Sequence, residues 1–228
     1  MVQPVILHIE TSSLACSVAL SRGEELLAWQ TQTERYVHSA ALAPITRDIL
    51  QSAGLVPADL QAIAVSIGPG SYTGLRVGLS FAKGLCTVLS CPLIAVDTLQ
   101  SLAVTAARRG EPVADIYIST LDARRQDAYL AVFDSTGVRL AENRFVTVEP
   151  VLLQPWMSGG RQVVVCGEGT AKWAADVHGE RARIAEIPCD ARNLVPVAAQ
   201  LFENQQFADV ESVVPAYLKP PNITIPAQ

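Results

Sequence analysis

The segment Gly68-Pro69-Gly70-Ser71-Tyr72-Thr73-Gly74-Leu75-Arg76 concentrates residue types that can hold an anion. Glycines let a strand-to-helix turn take positive φ and let a second backbone come close. Ser71 or Thr73 can cap the helix that follows, and a helix N-terminus attracts phosphate. The P-loop lysine is missing, so this is not that motif. A second cluster, Glu10-Thr11-Ser12, closes a short apolar run. An acid there can hold hydrated Mg²⁺ while hydroxyls and N–H groups hold phosphate. It can equally do no more than cap a turn. Asp122 ends a similar run and is followed by Arg124-Arg125, a pair that can meet phosphate or only solvent.

Other chemistries find little support. His8, His38 and His178 make no i, i+4 pair and no H-E-x-x-H motif, so a metal hydrolase site is not expected. No serine lies in a nucleophile-elbow context. The five cysteines, 16, 86, 91, 166 and 189, are odd in number and form no C-x-x-C pair. They read as inert thiols of a reducing cytosol rather than as a disulfide framework or zinc site.

Short β-rich runs cover 5–9, 15–20 and 25–31, with Arg22-Gly23-Glu24 as a hairpin turn. Leu42, Ile45, Ile49 and Ala53 recur at helical spacing, so a helix is expected over 39–52, kinked or begun at Pro44 and ended by Gly54. A strand over 63–67 leads through the glycine segment into a helix reaching 89, then a strand over 93–96 and a helix over 98–109. In that second helix Gly70, Gly74, Gly78 and Ala82 form a stripe of small residues. Glycine costs about 1 kcal/mol per helical position relative to alanine, so such a stripe calls for a close contact. The contact can be internal, against the sheet, or external, against a partner helix.

The second half repeats the first. Strands over 116–121, 127–133 and 139–147 follow the same order, with Asp122 in the place of Glu10. Val164-Val165-Cys166-Gly167-Glu168-Gly169-Thr170 echoes the strand, G-x-G, hydroxyl, helix sequence of 65–71. Two similar lobes are expected, 1–110 and a shorter 111–228, the latter ending in a proline-rich, extended tail opened by Tyr217-Leu218-Lys219-Pro220-Pro221. Three hairpin-connected strands followed by βα units give mixed sheets with flanking helices, an α/β class that resembles the actin-like (ASKHA) architecture of duplicated ribonuclease-H-like lobes.

The 228 residues carry 17 Lys plus Arg against 22 Asp plus Glu, a net charge of −5. That argues against a chain gripping nucleic acid unaided. Charged residues are only 17%, against an ordinary ~25%, which fits either a well-filled core or a surface covered by a partner. The start shows no basic, signal-like region and no 18-residue uncharged apolar run occurs, so neither export nor a membrane span is expected.

On five segments the chain resembles the TsaB (YeaZ) family: Ile6-Leu7-His8-Ile9-Glu10-Thr11-Ser12, Ala15-Cys16-Ser17-Val18-Ala19-Leu20, 66–78 around the glycines, Leu121-Asp122-Ala123-Arg124, and Ala216-Tyr217-Leu218-Lys219. The resemblance implies a non-catalytic, cytoplasmic subunit in threonylcarbamoyladenosine formation on tRNAs reading ANN codons. It would bind TsaD, the related catalytic subunit, and TsaE, homodimerise when alone, and meet tRNA only through the complex. The implied partner or dimer surface comprises His38, Leu42, Ile45, Ile49, Gly70, Ser71, Thr73, Gly74, Arg76, Gly78 and Ala82. Glu10, Thr11, Ser12 and Asp122 would be a vestigial nucleotide site, with no cofactor of the chain's own and ATP or ADP at the contact with TsaD. The family usually has Asp where this chain has Glu10. The alternatives are a small actin-like ATPase or phosphotransferase, and a peptidase relative.

Overall fold

The computed structural model describes residues 3–34, 38–110 and 113–219. The strand β1 (Val5–Glu10) is buried along its whole length, as expected of a central strand covered on both faces. Val5, Leu7 and Ile9 pack into a cluster with Leu42, Ile45, Ile49, Leu79 and Ala82. Ile6, on the opposite face, joins Ala64, Ile94, Val96, Leu194 and Ala198. Around β1 stand β2 (Cys16–Arg22), β3 (Glu25–Gln32), β4 (Ala62–Gly68) and β5 (Leu93–Asp97), in the sheet order β3-β2-β1-β4-β5. The hairpin strands pair antiparallel, and β4 and β5 are added in parallel.

The second sheet repeats this plan. Strands β6 (Ile116–Asp122), β7 (Asp127–Asp134), β8 (Arg139–Thr147), β9 (Val163–Cys166) and β10 (Ala182–Ala185) stand in the order β10-β9-β6-β7-β8. Its strands match the first set in order and direction, so the duplication read from the sequence is present in the topology.

The helices are less symmetric. α1 (His38–Ser52) and α2 (Tyr72–Leu89) cover one face of the first sheet. α1 runs unbroken through Pro44, and Gly54, at φ +67°, follows it as expected, with Leu55 N–H donating to the Leu50 carbonyl at 2.9 Å. In the second lobe the matching places hold only α4 (Gln154–Met157) and single 3₁₀ turns at Pro150–Leu152 and Thr170–Trp173. The helix expected after Gly169 is therefore one turn. Trp173, fully buried and donating to Thr120 Oγ1 at 3.2 Å, fills the space a longer helix would occupy.

α3 (Thr98–Arg109) is capped by Asp97, which accepts from Gln100 N–H at 2.9 Å. It follows the first sheet, yet Leu99, Leu102, Ala103 and Ala106 pack on Tyr117, Leu121 and Phe133 of the second. α5 (Leu194–Glu203) does the reverse, burying Leu194, Val197 and Ala198 against the first. The two helices thus lie between the sheets, each covering the other lobe's strands. Neither α5 nor β10 was anticipated from the sequence. α5 is legible in retrospect, because Leu194, Val197, Ala198 and Leu201 keep helical spacing.

His8 is completely buried on β1, its Nε2 within 2.8 Å of Ser21 Oγ and its Nδ1 without a partner. Burial pushes its pKa down to about 3. The unfolded chain, with the usual value near 6.5, takes up a proton that the folded chain refuses between those limits. Stability contributed by neutral His8 is therefore present above about pH 6.5 and is lost as the pH falls toward 3. Buried Glu10, whose carboxyl is raised by burial, acts in the opposite sense. Urea unfolding between pH 4.5 and 6 should show His8→Gln with a pH slope smaller by about 1.4 kcal/mol per pH unit than the parent. Equal slopes would show that His8 does not govern the acid limb.

Candidate functional site

Five pieces of chain meet where the two sheets face each other. They are the turn after β1, the glycine turn between β4 and α2, the β6–β7 turn, the Gly167–Gly169 turn, and the stretch 186–193 leading into α5. The first two carry the residues with the clearest chemistry. Glu10 is 1% exposed, and its Oε1 accepts from Ser12 N–H at 2.6 Å and Ser66 Oγ at 2.7 Å. Burial raises its pKa, and the hydrogen bonds to Ser12 and Ser66 offset only part of that. A carboxyl so enclosed caps its own turn. With Oε1 committed to Ser12 and Ser66 and the side chain 1% exposed, it does not offer an open ligand to a hydrated Mg²⁺, so the arrangement does not fit that ion.

The small-residue stripe of α2 explains why. A Cβ placed on Gly74 would lie 2.1 Å from the Thr11 carbonyl oxygen, and one on Gly78 would lie 2.2 Å from Thr11 Oγ1. A Cβ on Gly70 would lie 2.4 Å from the Ser12 carbonyl oxygen. The helix is pressed directly onto the turn after β1. Ser71 N–H donates to Ser12 O at 2.6 Å, and Ser71 Oγ accepts from Gly74 N–H at 3.2 Å. Two donors at the helix start are thus committed inside the chain, where a phosphate would need them.

The second lobe holds a looser copy. Asp122 Oδ1 accepts from Arg124 N–H at 2.6 Å, as Glu10 does from Ser12. Asp122 is exposed, however, and Lys172 Nζ stands 2.6 Å away. The modest burial would raise the Asp122 pKa, but Lys172 and the Arg124 N–H outweigh it and hold the carboxyl below its usual range. Gly167, at φ +109°, matches Gly68 at +112°, and its absent Cβ would lie 2.3 Å from Thr120 O.

Between the lobes the chain fills its own cleft. Cys189 is buried, its N–H donating to Glu168 Oε1 at 2.6 Å. Desolvation and the nearby Glu10 and Glu168 hold its thiol well above the ordinary range. Asp190 Oδ2 accepts from Thr31 Oγ1 at 2.8 Å, and Ala191 N–H donates to Ser17 Oγ at 3.1 Å, tying this stretch to β2 and β3. At the cleft mouth the segment after α5 crosses both lobes. Ala216 N–H donates to Ile67 O at 2.8 Å, and Tyr217 Oη accepts from Arg76 Nε at 2.8 Å. Lys219 Nζ reaches Asp127 Oδ2 at 3.5 Å and lies 4.5 Å from the Phe145 ring centre. Pro220, Pro221 and Pro226 of the expected tail lie outside the described residues. Among the described residues no group of three or more His, Cys, Asp or Glu could hold a metal ion, and no helix is long and apolar enough to cross a membrane.

The expected interface residues divide in two. Leu42, Ile45 and Ile49 of α1, and Gly74, Gly78 and Ala82 of α2, are buried in the chain's own core. The apolar period marked the inward face of each helix, so these side chains are not presented to a partner. The stripe's close contact is internal, with the turn after β1. Ser71, Thr73 and Arg76 are exposed, while His38 and Gly70 are half-buried, His38 Nε2 standing 3.2 Å from Ser13 O. The outward positions are Ala40, Ala43, Pro44 and Arg47 on α1, and Ser80, Gly84 and Val88 on α2. Sequence reasoning missed Ser66, a lone polar residue in an apolar strand, and the cross-cleft set Ser17, Thr31, Cys189 and Asp190. Nothing local marks that set.

A sequence model described as TsaD, tRNA N6-adenosine threonylcarbamoyltransferase, matches residues 32–223. The tRNA threonylcarbamoyladenosine biosynthesis protein TsaB of Escherichia coli is 31% identical, over 94% of both chains. The Bacillus subtilis protein of the same name is 30% identical, over 94% of this chain and 93% of that one. Among solved structures, YeaZ from Pseudomonas aeruginosa superposes with a TM-score of 0.79 at 26% identity, covering 94% of this chain and all of that one. A more distant neighbour, component A of the (R)-2-hydroxyglutaryl-CoA dehydratase of Acidaminococcus fermentans, has a TM-score of 0.56 at 12% identity and shares the actin-like fold.

The packing of α2 on Thr11 gives a direct test. Gly78→Ala should destabilise by about 1–3 kcal/mol through overpacking. Thr11→Ala in the same chain should restore most of that, because the offending Oγ1 is gone. Gly74→Ala, which meets a backbone oxygen, should not be rescued. Chemical denaturation of the three single variants and the two Thr11→Ala double variants reads all three outcomes, and additive effects of Thr11→Ala and Gly78→Ala would refute the contact.

Proposed function

We propose a scaffold role for this chain, which belongs to the TsaB family of tRNA threonylcarbamoyladenosine biosynthesis proteins: it holds TsaD in its working conformation and does no chemistry itself. The observation that carries this reading is the state of the cleft. The acid that would serve Mg²⁺ is enclosed by Ser12 and Ser66, and the helix start that would serve phosphate donates to Ser12. The matching sequence model is described as that of the transferase TsaD, and nothing in this chain's histidines suggests catalysis. Here His8 is buried against Ser21, and His38 lies beside Ser13 O.

In this reading TsaD meets the outward faces of α1 and α2, not their buried stripes. Small residues there, Ala40, Ala43, Ser80 and Gly84, allow close helix approach, and Val88, 82% exposed, supplies apolar area. The same surface pairs two copies of the chain when TsaD is absent. ATP or ADP sits at the contact with TsaD, TsaE acts on the assembled complex, and the location is cytoplasmic.

A titration of the purified chain against TsaD, with and without ATP, tests the reading. Gly84 is the site to mutate, because a Cβ there meets nothing within 4 Å and the position is exposed. Gly84→Arg should keep or slightly raise the melting temperature, since leaving glycine in a helix gains up to ~1 kcal/mol. It should also weaken TsaD binding at least tenfold. Full affinity in the folded variant would remove this face of α2 from the interface. ATP hydrolysis by the chain alone, lost in Glu10→Ala, would overturn the scaffold reading.

A further inference from the structure

The mouth of the cleft gathers cations that the scaffold reading does not use. Arg76 is exposed yet held in one orientation. Its guanidinium carbon lies 4.2 Å from the Tyr72 ring centre and 5.7 Å from that of Tyr217, and its Nε donates to Tyr217 Oη. The two rings are themselves 4.7 Å apart. An exposed arginine normally keeps its rotamer freedom. One pinned by two aromatic faces presents its remaining N–H groups in a fixed plane, the geometry that meets phosphate two bonds at a time.

Across the cleft, Arg124 and Arg125 occupy consecutive left-handed positions, φ +71° and +51°. Side chains larger than glycine rarely hold two such positions in a row. Both are exposed, and among the described residues neither they nor Arg76 form a salt bridge. The strap links the two places: Tyr217 holds Arg76, and two residues on, Lys219 pairs with Asp127, whose N–H donates to Arg124 O at 3.0 Å. The acids nearby are largely spent. Asp122 pairs with Lys172 and Asp127 with Lys219, while Glu168 is held by Cys189 N–H.

We propose that Arg76, Arg124 and Arg125 form a contact for the phosphodiester backbone of RNA, added by this chain to whatever its partner provides. The inference rests on the TsaB reading, in which tRNA is the substrate of the complex. The acidic whole does not oppose it, since three arginines that form no salt bridge among the described residues supply a minor share of affinity and not an independent grip. Cations interleaved with Tyr72, Tyr217 and Phe145 suit a strand that offers phosphates and base faces together. Arg76 also lies near the start of α2, the helix that the scaffold reading gives to TsaD.

The experiment uses the complex of full-length chain and TsaD, with an unmodified tRNA transcript titrated by fluorescence anisotropy at several salt concentrations. Arg124→Gly/Arg125→Gly keeps the turn, because glycine accepts positive φ. It should weaken RNA binding about tenfold and reduce the slope of log affinity against log salt by about 1.5 to 2. Arg76→Gln should act in the same direction, by about half as much. Unchanged affinity and slope in both variants, with normal pairing to TsaD, would overturn the proposal alone. Lost pairing to TsaD in the Arg124→Gly/Arg125→Gly variant would also overturn it, by making the patch a protein-docking surface. Failure of the parent chain itself to bind TsaD would overturn the scaffold reading together with this one.

Discussion

Everything near the cleft depends on how closely α2 approaches the turn after β1. Contact of the Gly74 and Gly78 backbone with Thr11 leaves no room for even one methyl group. That approach fixes the direction of α2, commits the N–H of Ser71, and seals Glu10 against Ser66 beneath the turn. In an open cleft these same groups would be free to meet a ligand. Here they face each other. The cost of Gly74 and Gly78 within α2, about 1 kcal/mol each against alanine, is set against a contact that larger residues would prevent.

The strands and the long helices were legible because they are local. Alternation and apolar runs set β1 to β8, Ser71 capped the helix it precedes, and Gly54 ended α1, while the Asp97 cap of α3 was not read. The duplication was legible too, since Glu10 and Asp122 accept the same i+2 N–H bond. What could not be read was the direction a pattern faces. A period of four in α2 marks a stripe, and the same stripe serves a sheet turn or a foreign helix equally well. Only the position of Thr11 decides, and Thr11 is more than sixty residues away in sequence. Arg76 and Tyr217 were each visible as part of a motif, but their bond spans 141 residues. The four-residue β10 and the 3₁₀ turn before Trp173 are too short to carry a period at all.

The two lobes are joined at several independent places. α3 and α5 pass between the sheets, and Asp190 ties the stretch before α5 to Thr31. Asp97 at the end of β5 meets Arg139 of β8 at 3.1 Å, with both groups less than a quarter exposed. The strap at 216–219 closes the mouth. A chain stitched in four places suits a rigid surface for a partner better than a hinge, because each joint would have to break before the lobes could part.

The exchange of α3 and α5 also sets an order of events during synthesis. The first sheet has all its strands once Asp97 is made, but Ile6, Ala64 and Val96 are covered only when α5 arrives. At ~5–20 residues per second a ribosome needs roughly 5–20 s to pass from Asp97 to Glu203. Through that interval the nascent chain carries a bare apolar sheet face, and its two halves cannot mature one after the other. A chaperone that shields this face on the ribosome would do for the growing chain what α5 does for the finished one.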